Sequence, residues 1–273
     1  MAIRARLTAP REAREEWPWH EVKSTSLSAS LLFAGDRRME AENFLAPGFA
    51  IRHAITSKPN GWTTLSKVAR TWQPSRLKGI QVSPDYGTPF LAATQVYDVR
   101  PVSRKWLSLD RTSDYAQRYV HEGTILLTCS GSVGRATLAD NSIADVLISH
   151  DLLRIDVENQ HMRGWVYAYL RSPTIRAMMT SAQYGHMIKH LETGHLDALP
   201  FIEAPSHLME SFNVLADDVV ASRNRANSLA KLAEDKFSDE IGSIPELTDW
   251  TSGYSTTSNA MFGKGRRFEG HYH

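Results

Sequence analysis

Cysteine is almost missing from this sequence, since Cys129 is the single one among 273 residues. One thiol cannot form a disulfide within the chain, and so low a cysteine content is typical of proteins of the reducing cytoplasm. Long hydrophobic runs are missing too, so we expect no transmembrane helix. The arginine-rich start of the chain also lacks the apolar stretch of a secretory signal. These absences favour a cytoplasmic protein that folds as an ordinary globular chain.

Charge is nearly balanced overall but unevenly distributed. The net charge is +1, whereas residues 62–120 contain nine basic and four acidic residues, a local balance of +5. Residues 121–205 contain six basic and nine acidic residues, and residues 206–273 contain seven and ten, so both balances are −3. A basic segment in a near-neutral chain suits a surface that binds a polyanion, and it equally suits a solvated loop region.

The middle of the chain combines strand-like and helical patterns. Apolar residues at helical spacing predict a helix over residues 164–179, which Pro173 breaks or kinks. The fold class that follows is α+β, a globular domain with a mixed or antiparallel sheet, followed by a long coiled-coil-like helix. Short apolar runs bounded by glycine and proline predict strands near residues 88–93 and 123–129, and residues 144–149 and 152–157 continue the strand pattern.

The long helix is predicted over residues 206–241 and ends at Gly242. Its apolar residues are spaced alternately four and three apart, with interruptions at Ser222 and Lys236. A helix of roughly 35 residues spans about 50 Å, more than a compact domain needs for its own core. We therefore favour an interface with another chain or repeat over packing on its own domain. The predicted interface residues are Leu208, Phe212, Leu215, Val219, Ala226, Leu229 and Ala233.

A short repeat links the two ends of the chain. Residues 33–40 (Phe-Ala-Gly-Asp-Arg-Arg-Met-Glu) and residues 262–269 (Phe-Gly-Lys-Gly-Arg-Arg-Phe-Glu) share four identical positions at an offset of 229. The match indicates that a second repeat begins in the tail. We divide the chain into a lead-in segment 1–44, a globular domain 45–205, the helix 206–241 and a tail 242–273 with the start of the second repeat.

Three motifs follow one another in a fixed order. The first combines Trp-x-x-Leu-x-x-Val at residues 62–68 with Gly-Thr-Pro-Phe-Leu at residues 87–91. The second is Gly-Thr-Ile-Leu-Leu-Thr-Cys-Ser-Gly-Ser-Val-Gly at residues 123–134, and the third is Tyr-Gly-His-Met-Ile-Lys-His-Leu at residues 184–191. Their succession resembles the target-recognition domain of specificity (S) subunits of type I restriction-modification systems. The Arg-Arg-x-Glu repeat looks like the opening of each recognition half in some members of that family.

The resemblance implies a non-catalytic subunit whose domain 45–205 reads one half of a bipartite site in double-stranded DNA. It implies that the helix spaces this domain from a second one. Because a long apolar stripe is costly to leave in water, we also expect the chain to self-associate through the helix. A methyltransferase subunit would supply S-adenosylmethionine for adenine methylation, and a translocase and nuclease subunit would use ATP and Mg. No cofactor is expected in this chain, which lacks the Asn-Pro-Pro-Tyr/Phe motif of such a methyltransferase and a helicase phosphate loop.

The second motif ends in a glycine-rich turn with hydroxyl groups and a cation. Glycines let backbone N–H groups approach a phosphate, and Ser130, Ser132 and Arg135 can add hydrogen bonds and charge. A plain hairpin turn explains the same residues, because short glycine motifs are common. No histidine is identified as a partner for Cys129, which we interpret as a small buried residue rather than a nucleophile.

The third motif places polar groups that suit phosphates or base edges within seven residues, namely Tyr184, His186, Lys189 and His190. Together with His195 the histidines also suggest a zinc site, but no cysteine or fixed carboxylate completes it, so no metal site is predicted.

The basic segment interleaves cations, amides and aromatic residues. Arginine and lysine suit guanine edges and phosphates, and glutamine suits adenine. We interpret Trp72 and Trp106 as packed residues rather than DNA contacts, because large aromatic side chains are mostly buried. The candidate DNA-binding residues of this segment are Arg76, Lys78, Gln81, Tyr86, Gln95, Arg104 and Lys105.

Two alternatives belong to other functional classes. One is a stand-alone metal-dependent nuclease or hydrolase that uses the histidines of residues 186–195. The other is a coiled-coil adaptor whose globular domain binds protein. Metal-dependent activity of the purified chain would favour the first, and pairing without DNA binding would favour the second.

Overall fold

The computed structural model describes residues 24–32, 41–76, 79–112, 114–144, 146–181 and 190–242. The two repeated segments lie outside these ranges. So do Lys78 and, of the third motif, Tyr184, His186 and Lys189.

The described residues form ten short strands and seven α-helices. The strands are β1 (Trp62–Thr64), β2 (Ala69–Trp72), β3 (Gln81–Val82), β4 (Thr88–Leu91), β5 (Lys105–Leu107), β6 (Ile125–Thr128), β7 (Ala136–Leu138), β8 (Leu147–Ile148), β9 (Leu152–Val157) and β10 (Pro200–Ile202). The helices are α1 (Ala29–Leu32), α2 (Ala41–Leu45), α3 (Pro47–Thr56), α4 (Arg163–Arg171), α5 (Pro173–Ser181), α6 (Thr193–Asp197) and α7 (Ser206–Ile241).

The strands build two four-stranded sheets and a two-stranded ribbon. The central sheet has the strand order β2-β9-β6-β7, and all its neighbouring strands are antiparallel. The second sheet has the order β3-β5-β4-β8, in which β4 and β8 are parallel and the other pairs antiparallel. The ribbon pairs β1 with β10. The predicted α+β fold with a mixed sheet and a long final helix is confirmed.

The middle of the central sheet is buried on both faces, which explains the continuous apolar run at the start of β6. In β6, Ile125 and Leu127 belong to a large core that includes residues of α4, α5 and α7. Leu126, between them, belongs to a smaller core with Leu91 of β4 and Ile148 of β8. Successive residues of a strand point to opposite faces, so the smaller core lies between the two sheets.

Two helices occupy the segment for which one broken helix is predicted. α4 ends at Arg171, α5 begins at Pro173, and Ser172 between them has a ψ of 133°. The ring of a proline pushes the preceding residue out of the helical region, whereas the proline itself fits a first helical turn. The break at Pro173 is therefore confirmed.

The long helix α7 covers the range that the heptad pattern predicts. Gly242 follows it with a φ of +73°, the left-handed conformation in which many helices end. None of the helices in the described ranges combines the length and the apolar content that crossing a membrane requires.

The first part of α7 packs on its own domain, which is the arrangement that the sequence analysis did not favour. Ala216 and Val220 are buried in the large core, and the ring centroids of Phe212 and Trp165 lie 5.1 Å apart. A Cβ at Gly164 would collide with the Phe212 carbonyl, so this glycine lets α4 and α7 approach closely. A long heptad stripe therefore did not exclude packing within the chain.

Polar contacts fix the same part of α7. Arg223 Nη1 donates to Thr137 Oγ1 at 2.5 Å and to the Leu138 carbonyl at 3.0 Å, both on β7. Asp217 pairs with Arg163 of α4. The chain divides after Ala230 into a first compact unit, which contains both sheets and α7 up to this residue, and a second unit that begins at Lys231.

Candidate nucleic-acid interface

The second sheet brings four of the predicted DNA-binding residues into one region. Gln81 lies on β3, Lys105 begins β5 and Arg104 precedes it, while Tyr86 lies in a 3-10 turn that contacts β5. β3 and β5 pair side by side, with Gln81 opposite Leu107. All four side chains are exposed. We call Gln81, Tyr86, Arg104 and Lys105 the second-sheet surface.

A tightly packed turn presents Tyr86 to solvent. Pro84 starts the turn and Gly87 ends it, and a Cβ on Gly87 would lie 2.6 Å from Val82 Cγ2 and 2.7 Å from Trp106 Cβ. Contacts this short leave no room for a side chain, so the turn can lie against β5 only because residue 87 is glycine. Tyr86 itself is 81% exposed, so its aromatic ring is available to a partner.

Cations and apolar side chains are mixed around this surface. Arg76, Arg104 and Lys105 form no ion pair or hydrogen bond with any described residue, and their charges face water. Ile80 and Val102 are exposed close to them in the sequence. Unpaired cations beside exposed apolar and aromatic groups suit a polyanion with apolar rings, such as a nucleic acid.

Gln95 has a different position from the one predicted. Its Oε1 accepts a hydrogen bond from the Ala92 N–H at 2.9 Å, and its Nε2 donates to the Val102 carbonyl at 2.5 Å. Both ends of the side-chain amide are thus bonded to backbone, which holds the loop between β4 and β5. This geometry favours a structural role for Gln95 over base recognition.

The two tryptophans of the basic segment are packed, as the sequence analysis interprets them. Trp106 is half-buried in β5. Trp72 is half-buried in β2, where its Nε1–H donates to Asp156 Oδ2 at 2.6 Å and its ring lies 5.5 Å from the Arg154 guanidinium.

The glycine-rich turn connects β6 and β7 as a hairpin. Gly131 and Gly134 have φ values of +64° and +76°, so both need a conformation that other residues rarely adopt. A Cβ on Gly134 would lie 3.3 Å from side-chain atoms of Arg176 and Met179, whereas a Cβ on Gly131 would meet no neighbouring atom within 4 Å. Gly134 is therefore needed for packing on α5, and Gly131 is the position that a ligand can approach.

The polar residues of this turn differ in exposure. Ser132 and Arg135 are exposed, Ser130 is half-buried, and the Ser132 carbonyl accepts a hydrogen bond from Thr128 Oγ1 at 2.5 Å. The turn is thus closed by its own backbone and keeps two predicted DNA-binding side chains at the surface.

Tyr97 links the loop after β4 to the glycine-rich turn, a contact that the sequence analysis missed. Its hydroxyl donates to the Arg135 carbonyl at 2.6 Å, and the Arg135 guanidinium carbon lies 3.9 Å from the ring centroid. Burial raises the pKa of Tyr97 to about 12 against the lowering effect of the Arg135 charge. No spacing in the sequence pairs two residues so far apart, so this contact could not be predicted.

The end of the third motif lies beside the same turn. The Leu191 N–H donates to the Cys129 carbonyl at 2.9 Å, and the preceding residue, His190, is exposed. Cys129 is buried, and burial raises the pKa of its thiol. The interpretation of Cys129 as a packed residue is confirmed.

The histidines offer little for a metal site. His195 Nδ1 accepts a hydrogen bond from the Glu192 N–H at 3.0 Å as part of the capping of α6. Within the ranges that the structure describes, no group of three histidine, cysteine, aspartate or glutamate side chains is arranged to hold a metal ion.

The predicted interface residues of α7 fall on two sides of the helix. Phe212, Val219 and Ala226 are half-buried, whereas Leu215 and Leu229 are 58% and 56% exposed. Leu208 and Ala233 are exposed as well. The exposed apolar stripe, defined by Leu208, Leu215 and Leu229, therefore lies beside the side of α7 that packs on the domain.

These features define an α+β domain with an exposed basic and aromatic surface, followed by a long helix with an exposed apolar stripe. No family model matches the chain, and no curated protein does. Solved structures are similar to it. One is the HsdS subunit from Thermoanaerobacter tengcongensis, at 17% identity and a TM-score of 0.40, over 66% of this chain and 45% of that chain.

The S subunit of a type I restriction-modification system from M. genitalium is 18% identical, with a TM-score of 0.38 over 69% of this chain and 48% of that chain. The type IIG restriction endonuclease BpuSI is 12% identical, with a TM-score of 0.45 over 64% and 28%. The chain thus spans about half the length of the two S subunits. Because these TM-scores are below 0.5, the likeness assigns no role to any residue.

Proposed function

We propose that this chain is a non-catalytic DNA-binding subunit that reads sequence through the second-sheet surface. The observation that supports this function best is the exposure of Tyr86, Arg104 and Lys105 on one sheet, with neither cation paired to a described residue. Cations without internal partners keep their full charge for a ligand, and a fixed aromatic ring beside them can pack on a sugar or a base.

The residues of this surface, and Arg76 between β2 and β3, suit different parts of DNA. Arg76, Arg104 and Lys105 suit phosphates, where they would determine affinity and its dependence on salt. Gln81 can bond the edge of an adenine, and Tyr86 can contact bases or sugars. At the glycine-rich turn, the exposed backbone of Gly131 and the side chain of Arg135 can also contact phosphates.

The wider role follows from the resemblance of the three motifs and is part of the proposal. The domain would read one half of a bipartite site and direct adenine methylation or cleavage by partner subunits. S-adenosylmethionine would be used by a methyltransferase subunit, and ATP and Mg by a restriction subunit that moves along and cuts DNA. A half-site reader needs a second recognition domain, and α7 is the element suited to join two of them.

The exposed apolar stripe of α7 supports self-association. Covering a leucine-sized side chain is worth about 1.5–3 kcal/mol, so leaving this stripe in water is costly. We expect a two-fold pair with antiparallel helices, in which the stripe of one copy covers that of the other. The proposal includes this pair as the simplest way to bring two recognition domains onto one DNA site.

Salt-dependent DNA binding tests the recognition surface. The dissociation constant of the purified chain for double-stranded DNA is measured by fluorescence anisotropy at several salt concentrations. The double variant Arg104→Ala/Lys105→Ala is expected to lower the slope of log affinity against log salt by about 2, because each phosphate contact contributes about 0.9. The control Arg225→Ala/Lys236→Ala removes one arginine and one lysine from exposed positions of α7. Equal slopes for the two double variants would contradict the proposal.

Sedimentation of the chain at tens of micromolar tests the pairing. Leu215→Asp/Leu229→Asp is expected to yield monomers with an unchanged circular dichroism spectrum, because both side chains are exposed and not part of the domain core. The control Ala221→Asp/Ser228→Asp places the same charges at other exposed positions of α7 and should remain paired. A wild-type chain that sediments as a monomer would refute self-association without affecting the DNA-binding proposal.

A further inference from the structure

Two arginines are fully buried beside the edge of the second sheet. Arg154 lies in the middle of β9, and Arg118 ends a 3-10 turn that contacts β8. Both are 0% exposed, although guanidinium groups are almost never buried without an anionic partner.

Arg154 joins the two sheets. It lies on the face of the central sheet that carries Leu152, a member of the core between the sheets. Its Nη1 donates to the carbonyls of Ser149 and Leu152 at 3.0 and 2.5 Å, and its Nη2 to the Ile148 carbonyl at 3.1 Å. Its Nε–H has no acceptor. Neutral carbonyls thus hold this cation, and no carboxylate in the described ranges forms an ion pair with it.

Arg118 has fewer partners still. Its Nη2 donates to the Ser75 carbonyl at 2.9 Å, while its Nε and Nη1 are buried and have no acceptor. Three nitrogens of the two guanidinium groups therefore carry unused donors inside the protein. An unsatisfied buried donor costs about 1–3 kcal/mol, and more when it is charged.

The nearby carboxylates do not bond to either arginine. Asp114 Oδ2 accepts from Ser75 Oγ at 3.1 Å, and Asp156 Oδ2 accepts from Trp72 Nε1 at 2.6 Å. Among the described residues, no ion pair involves Arg118 or Arg154. Burial lowers the pKa of both, and the charge of Arg118 adds to the lowering at Arg154, whose pKa falls to about 10. Arg154 donates to Ile148 of β8, and the turn that ends at Arg118 contacts the same strand, so both arginines lie beside β8.

We propose that Arg118 and Arg154 bind a small inorganic anion, a halide or an oxyanion such as phosphate. The anion would accept hydrogen bonds from the unused donors and would offset the two buried positive charges. The burial of both side chains excludes bulky ligands, which limits the occupant to a few atoms.

The site would also stabilise the loop that leads to the proposed DNA-binding surface. Arg118 bonds the backbone of Ser75, the neighbour of Arg76, and Ser75 is also bonded to Asp114. A bound anion would hold Arg118 and, through it, the start of this loop. The site is nevertheless independent of DNA recognition, because its ligand binds inside the domain.

Thermal unfolding in different anions tests the site. The melting temperature of the full chain is measured in increasing sodium chloride or sodium phosphate, with ionic strength held constant by sodium gluconate, whose anion is too large to enter. Wild type is expected to gain about 3–6 °C when the binding anion reaches ten times its dissociation constant. The arm with the larger gain identifies a halide or an oxyanion as the preferred ligand.

Two variants separate the site from general salt effects. Arg118→Met keeps the length of the side chain, removes the charge and should abolish the anion-dependent gain. Arg225→Met removes an exposed arginine of α7 and should gain as wild type does. An equal gain in all three proteins would refute the site, as would a wild-type melting temperature that no anion raises, since that result indicates buried water in place of an ion.

A direct measurement covers the case in which Arg118→Met does not fold. Crystals of the wild-type chain grown in sodium bromide should show an anomalous peak within hydrogen-bond distance of the Arg118 and Arg154 nitrogens. The absence of anion density at these nitrogens both in crystals grown in sodium bromide and in crystals grown in sodium phosphate would overturn the proposal. DNA binding of the same preparation, measured separately, shows whether the proposed function stands or fails on its own.

Discussion

The two four-stranded sheets of this protein differ in what covers them. In the central sheet, every residue of β6 and all but one of β9 are buried, because helices cover one face and the second sheet covers the other. Among the described strand residues of the second sheet, the only buried ones are Leu91, Leu107 and the two residues of β8. Buried apolar residues are therefore concentrated in the central sheet, and exposed cations lie on the second.

This difference has a physical reason. A cation or an exposed ring contributes little to folding, so a surface that must bind a polyanion is best carried by strands whose other face is already packed. The second sheet fits this description, since Leu91 and Ile148 face the smaller core while Gln81 and Lys105 face water. Substitutions in the two sheets should accordingly change different measurable properties.

The largest effect on stability is expected in the central sheet. Leu127 is fully buried, and Leu127→Ala should lower the free energy of unfolding by about 2–5 kcal/mol, because it removes apolar contacts and leaves a cavity. Denaturant unfolding measures this loss. A change below 1 kcal/mol would show that the central sheet does not determine the stability of the domain.

Alkaline pH should lower the free energy of unfolding, because the burial of two tyrosines opposes their ionisation in the folded state. Tyr169 of α4 donates to the Pro200 carbonyl, Tyr97 follows β4, and burial raises the pKa of each to about 12. The folded state keeps these phenols protonated while the unfolded state ionises near pH 10, so stability is lost as the pH rises from 10 to 12. For Tyr169 the loss is about 2–3 kcal/mol. Unfolding measured across this range should show a shallower decline for Tyr169→Phe, and an identical decline would contradict the assignment.

A smaller loss is expected from Gly87→Ala in the second sheet. The new Cβ would meet Val82 and Trp106 at contact distances of 2.6 and 2.7 Å, and such overpacking costs about 1–3 kcal/mol. Because the turn must move, affinity for DNA should fall along with stability. Denaturant unfolding and fluorescence anisotropy on the same protein measure both quantities. An unchanged affinity would show that DNA binding does not depend on how the turn positions Tyr86.

The smallest effect on stability is expected at Tyr86. Tyr86→Ala removes a side chain that is 81% exposed, so the free energy of unfolding should stay within about 0.5 kcal/mol of wild type. Affinity for DNA should nevertheless fall about 5- to 30-fold, the equivalent of about 1–2 kcal/mol for one stacked or packed ring. Tyr115→Ala, at another exposed tyrosine, is the matched control. Equal losses of DNA affinity in the two variants would show that Tyr86 is not part of the proposed binding surface.

The sequence by itself determined the elements whose signals are local. The heptad spacing and Gly242 fixed the extent of α7, and Pro173 fixed the break between α4 and α5. Backbone sterics of proline and glycine act within a few residues, and helical periodicity repeats along one segment. The strand near Leu126 was predictable for the same reason, since a continuous apolar run that follows Gly123 indicates a buried strand.

Only the tertiary structure decided which residues meet across the chain. It assigned Gln95 to its own loop, paired Tyr97 with Arg135, and placed the first part of α7 on the domain while leaving Leu215 exposed. It also buried Arg118 and Arg154, two cations that composition alone would put on the surface. Such contacts depend on how sheets and helices pack over long sequence separations, and no local pattern of residue types encodes that geometry.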